Sequence, residues 1–235
     1  MRDFVTGASG QQAADLEERG AIVVEGTFDE LLHRVCEEVS AVFLDALPSP
    51  NNDSELRHAR DVVTAAHAPR KSIVTTIVYT SICDVDQRAL SPGWSDWPQD
   101  SILKQYLASK AAIKDLVRTA GFQHWTIFRP PIFMTNFLLP GARAYFPTLP
   151  SLARDLRIAT ARGKRIMLID TDDIGRLATA AILDSARLSP RAIDIGGEAL
   201  TTEHFVAVLS GVSGWDILVG YIPPAVAARL ARVDP

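Results

Sequence analysis

Phe4-Val5-Thr6-Gly7-Ala8-Ser9-Gly10-Gln11-Gln12 reads as the stub of a strand, a glycine turn and the start of a polar helix that runs to Arg19. A junction of this kind turns backbone N–H groups and the positive end of a helix dipole toward an anion. Thr6, Gly7 and Gly10 supply the first two-thirds of a dinucleotide pyrophosphate cradle. The third glycine, which allows close helix–sheet packing, is replaced by Gln11-Gln12-Ala13. A plain glycine-rich turn after a short edge strand is the competing reading. Glu25 follows Ile22-Val23-Val24 at the place where an acidic residue contacts a ribose hydroxyl and disfavours a 2′-phosphate. A solvated charge at a strand end would look the same.

Outward from this turn, apolar runs alternate with helical patterns. Gly20 stops the first helix, and Ala21–Val24 forms the next strand. Phe28 to Glu38 reads as helix, Ala41–Leu44 as a continuous apolar strand, Ser54 to Ala66 as helix and Ser72 to Tyr79 as a buried strand. Leu103 to Thr119 is an amphipathic helix ending at Gly121, and Trp125–Phe128 a further strand. Strand–helix alternation with strands apolar on both faces predicts an α/β fold built on a doubly wound parallel sheet. After Arg129, prolines at 130, 131, 140, 147 and 150 mark loops. Ile166–Ile169 and Ala192–Ile195 are later strands. Asp170 to Asp173 caps a helix to Leu183, and Thr201 opens another with a Thr-x-x-His start. The expected division is a core over 1–130 and a small C-terminal substrate region over 131–235, interleaved with it.

Ser81 falls at the carboxyl end of the buried strand, where open α/β sheets hold their ligands. Tyr106 and Lys110 stand at i and i+4, on one helix face. A nearby ammonium favours phenolate over phenol, so the pair suits proton transfer near neutral pH. Ser81 would hydrogen-bond a substrate oxygen. A semi-buried tyrosine beside a surface lysine is the plainer alternative. Between these elements, Trp94 and Trp97 form either the apolar wall of a pocket or an anchor for their own loop. Arg129 and Phe133 stand where the chain turns over the expected site.

Composition narrows the class. The 235 residues are 47% hydrophobic and 22% charged, with net charge −4, which argues against nucleic acid and for a small, apolar partner. The first residues show no apolar signal region, and no stretch approaches a membrane span. Cys36 and Cys83 have no metal-ligand spacing, so neither a metal site nor a disulfide framework is expected, and a cytoplasmic location suits them.

Val5–Gln12, Arg19–Gly26, Ala41–Leu44, Pro92-Gly93-Trp94, Tyr106–Lys110, Gly121–Pro130, Asp172–Arg176 and Tyr221–Pro224 together resemble the NmrA-like proteins, atypical members of the short-chain dehydrogenase superfamily. The resemblance covers almost the whole chain. It implies a Rossmann-like fold and either a reductase using NADPH or NADH, or a redox-sensing regulator that binds the cofactor without turnover. Set against that family, Gln12 joins almost directly to the segment Ala14–Val24. This implies an internal loss of roughly one helix and one strand, on the order of 30 residues, and with it a narrowed sheet and weakened cofactor affinity. The chain also ends soon after Tyr221–Pro224, as an incomplete form of an active parent would. Three functions follow: an oxidoreductase with Ser81, Tyr106 and Lys110 catalytic and Lys110 also holding ribose; a cofactor-independent isomerase or cyclase using the same pair; and a non-catalytic sensor.

Overall fold

The computed structural model describes residues 3–5, 17–18, 20, 35–46, 53–68, 72–90, 94–99, 101–151, 154–223 and 226–227. Within these, the first unit of the chain carries β1 (Asp3–Val5), β2 (Ala41–Leu44), α1 (Ser54–Ala66), β3 (Thr76–Thr80), α2 (Ile102–Thr119) and β4 (His124–Arg129). The second carries β5 (Ile132–Phe133), α3 (Gly141–Tyr145), β6 (Asp155–Ile158) and β7 (Arg165–Ile169). Helix α4 (Thr171–Leu183) leads back to α5 (Ser185–Leu188) and β8 (Arg191–Asp194) of the first unit. Then β9 (Glu198–Thr201), α6 (Thr202–Ser213) and β10 (Leu218–Tyr221) complete the second. The compact units are 1–129 with 177–193, and 130–176 with 194–235.

In the first unit the strands lie in the order β1-β2-β3-β4-β8. Phe4 is opposite Val42, Val42 opposite Ile77 and Ile77 opposite Trp125, and the pairs from β1 through β4 are all parallel. Parallel neighbours need crossovers, which α1 and α2 provide. All five residues of β3 are buried, as a central parallel strand requires. Ile77, Tyr79, Ile127, Val42 and Leu44 pack against Ala59, Val62, Val63, Ile113 and Val117 of the two helices. On the alternate strand positions, Thr126 Oγ1 donates to the Leu188 carbonyl of α5. Helical segments thus pack on both faces, and the sheet is the Rossmann-like α/β type expected.

Local chemistry sets the ends of α2, the helix that carries Tyr106 and Lys110. Ser101 is its N-cap, with Oγ accepting from Lys104 N at 3.2 Å. Gly121 follows its last turn at φ 87, a backbone angle that side chains with a Cβ rarely adopt. Ser101→Ala is expected to cost about 1 kcal/mol, read as a lower urea midpoint with unchanged slope.

The second unit contains strands the sequence does not advertise. β5, β7 and β9 form one sheet, with β7 and β9 antiparallel, and β6 pairs with β10. Of these only β7 lies where the apolar pattern predicts a strand. The others are two to four residues long, too short for an alternation to show. Phe137 anchors the core here, stacked on Phe146 at 4.7 Å and tilted against Phe205 at 4.8 Å. The expected strand Ala21–Val24 lies outside the described residues, as do most of the two expected helices Gln11–Arg19 and Phe28–Glu38. Of the first helix, Glu17 and Glu18 are helical and Gly20 takes φ 88.

Candidate active site

Alternation along β3 puts the side chains of positions 77, 79 and 81 on one face, the face covered by α1 and α2. Ser81 N–H donates to the Phe128 carbonyl at 2.8 Å, carrying the ladder one residue past β3 and fixing Ser81 at the strand's carboxyl end. The Oγ of Ser81 and the hydroxyl of Tyr79 are both buried, and neither has a hydrogen-bond partner among the described residues. Burial pushes the Tyr79 phenol well above its ordinary range. The Glu55 charge adds to that rise, and the Ser81 hydroxyl draws it slightly back. Tyr79 therefore remains a phenol, its hydroxyl close to that of Ser81.

On α2, the spacing of Tyr106 and Lys110 does bring them together: Lys110 Nζ is 5.6 Å from the Tyr106 ring centroid. It is also 5.9 Å from the Tyr79 ring, so the ammonium lies near both phenols. Tyr106 is half-buried, whereas Lys110 is only 4% exposed. A cation this deep needs partners. Nζ donates to the Ala46 carbonyl at 3.0 Å, just beyond β2, and stands 2.9 Å from Glu55 Oε1 in the first turn of α1. The Glu55 contact has the distance of an ion pair without the geometry of a hydrogen bond, and Oε1 accepts none among the described residues. Asp45, next to Ala46, is raised by burial and further by Glu55, with Lys110 opposing.

The other expected residues are distributed as follows. The rings of Trp94 and Trp97 lie 5.5 Å apart, and Lys104 of α2 sits 5.4 Å from the Trp94 ring while donating to the Trp97 carbonyl at 2.9 Å. Both indoles are half-buried, and the loop is pinned to the start of α2. Arg129 is held by Asp86, Nη1 to Oδ2 at 2.6 Å, and Lys114 of α2 also bonds Asp86. The Lys114 hydrogen bond, foremost, and Arg129 hold the Asp86 carboxyl below its usual range. Phe133 belongs to the second unit, on β5 opposite Ile169. It is not among the residues lining an apolar cavity of about 150 Å³ there, whose walls include Phe137, Leu139, Leu149, Trp215 and Ile217. Thr6, Gly7, Gly10 and Glu25 lie outside the described residues. Cys36 is fully buried, its thiol pushed up to about 11 by burial, and pairs with nothing. Among the described residues no group of three or more His, Cys, Asp or Glu side chains is placed to hold a metal, and no helix is long and apolar enough to cross a membrane.

Glu55, Tyr79 and Asp45 were not singled out by sequence. For Tyr79 a signal exists, since it shares strand phase with Ser81. For Glu55 the sequence shows only an acid in a first helical turn, ordinarily a surface feature that complements the helix dipole. Nothing local says that it is buried.

Comparison with known proteins agrees with the fold. The sequence model of the NmrA-like family matches residues 1–234. An uncharacterised oxidoreductase of Bacillus subtilis (strain 168), YesF, is 32% identical over 94 residues, which is 40% of this chain and 31% of that protein. The match thus spans under a third of the length of that relative. Among solved structures, a short-chain dehydrogenase/reductase superfamily protein of Agrobacterium tumefaciens with bound NAD superposes with a TM-score of 0.67 at 19% identity, covering 94% of this chain and 85% of the other. The triphenylmethane reductase of a Citrobacter species, complexed with NADP(H), gives 0.64 at 19% identity, over 93% and 68%. Likeness at this identity establishes the fold.

Proposed function

This chain belongs to the NmrA-like family, and from that membership and the residues at the end of β3 we propose that it is a reductase using NADPH or NADH on a small, apolar carbonyl or alkene compound. The observation that carries the reading is the approach of Lys110 Nζ to the Tyr106 ring, 5.6 Å from its centroid, on the helix that follows Ser81. Tyr106 donates a proton to the substrate oxygen or carbon. The charge on Lys110 favours the phenolate that remains. The orphaned Ser81 Oγ aligns the substrate oxygen and stabilises negative charge as it develops there.

The described residues fit the nicotinamide end of a dinucleotide: the buried hydroxyls of Ser81 and Tyr79, and the Lys110 ammonium close to the Tyr79 and Tyr106 rings. Lys110 Nζ would bond a ribose hydroxyl. Thr6, Gly7 and Gly10 would hold the pyrophosphate, and Glu25 the adenosine ribose. When bound, the reduced nicotinamide supplies hydride. The cofactors of the Agrobacterium and Citrobacter proteins support this class. The unit of 1–129 with 177–193 serves the cofactor, and within it Trp94 and Trp97 form an apolar wall for the substrate with Arg129 at the rim.

Calorimetric titration with NADPH and NADH, after stripping of carried-over nucleotide, tests the reading. The expected result is micromolar binding, and a preference for NADH would implicate Glu25. No binding at millimolar concentration by folded protein would remove the redox reading and leave proton chemistry without a cofactor.

A further inference from the structure

Glu55 is 3% exposed and belongs to the first turn of α1, while its partner Lys110 belongs to α2. Their contact at 2.9 Å joins the two crossover helices where both meet the end of the sheet. Removing an ammonium and a carboxylate from water costs several kcal/mol for each ion. Such a pair persists when its geometry is good and further hydrogen bonds satisfy the charges, as the Ala46 carbonyl does for Lys110. Alone in this setting, an amine sheds its proton or moves toward water. The groups that face Lys110 are Glu55 from α1, Asp45 and the Ala46 carbonyl from the segment after β2, Tyr79 from β3 and Tyr106 from its own helix. Of these, Glu55 is the carboxylate seen in direct contact.

We propose that Glu55 is the positioning residue of the Tyr106–Lys110 pair: its carboxylate, 2.9 Å from Nζ, holds Lys110 in place as a cation beside the phenol. It touches neither substrate nor cofactor and acts on Tyr106 only through Lys110. Its meaning for catalysis rests on the reductase reading, but the charge relation between Glu55 and Lys110 can be measured without cofactor or substrate. Failure of one is therefore distinct from failure of the other.

The test is competitive acetylation with acetic anhydride at mildly alkaline pH, read lysine by lysine by peptide mass spectrometry. Lys104 and Lys114 serve as internal references, since both are buried on the same helix and hydrogen-bonded to groups other than Glu55. In Glu55→Gln, labelling of Lys110 is expected to rise about tenfold, because the charge beside its ammonium is gone, with Lys104 and Lys114 unchanged. Glu55→Asp keeps the charge but withdraws it by one methylene, and is expected to give a smaller rise at Lys110 alone. Unchanged labelling of Lys110 in a folded Glu55→Gln protein would overturn the proposal. So would equal rises at all three lysines, which would mark Glu55 as packing only. Should Glu55→Gln fail to fold, Glu55→Asp decides, and wild-type labelling there would overturn it.

Discussion

Tyr106→Phe is expected to lower turnover by about 10²–10⁴-fold, the usual contribution of a positioned proton donor, while leaving the unfolding midpoint nearly unchanged. The substitution removes one hydroxyl and keeps the ring that stands 5.6 Å from Lys110 Nζ. Tyr106 is half-buried, so the loss of its hydroxyl leaves the core intact. The assay is consumption of reduced nicotinamide with a panel of apolar aldehydes, quinones and enones. Dinucleotide affinity should change little, because the proposed ribose contact is that of Lys110. A variant that retains full turnover would remove Tyr106 from the chemistry and end the reductase mechanism in this form. A variant that loses turnover together with folding would show that the hydroxyl is structural.

Sequence reading was most secure where packing leaves a periodic trace. Ser54–Ala66 is helical over the residues that the pattern assigns, and Ala41–Leu44 is the strand that its apolar run predicts. The Tyr-x-x-x-Lys spacing carries over into contact because a helix offers little choice of neighbour at i and i+4. What the sequence hides is of two kinds. Short strands such as Ile132–Phe133 are defined by the partner they find, here Ile169, and no local pattern announces a partner. Burial of charge is hidden for the same reason. Glu55 and Glu17 look alike as acids near helical segments, yet Glu55 is enclosed and Glu17 is exposed. What distinguishes Glu55 is Lys110, 55 positions later in the chain and brought across only by the fold.

Lys110→Met is expected to destabilise the protein by about 3–5 kcal/mol, because it strands the Glu55 carboxylate in a buried site. The isolated loss of a lysine from a surface would cost far less. A compensating change separates the burial penalty from the worth of the pair. Glu55→Leu with Lys110→Met puts apolar groups of similar size in both places, and such replacements are often neutral or stabilising. The double variant should therefore unfold at a urea concentration close to that of the wild type, well above the Lys110→Met single variant. It should nonetheless lack turnover, since the cation beside Tyr106 is gone. If stability returns and activity does not, the ion pair serves the chemistry of Tyr106 and not the strength of the fold. If the double variant unfolds as readily as the single one, the pair is an element of the architecture, and Lys110 would lose its claim to a mainly chemical role.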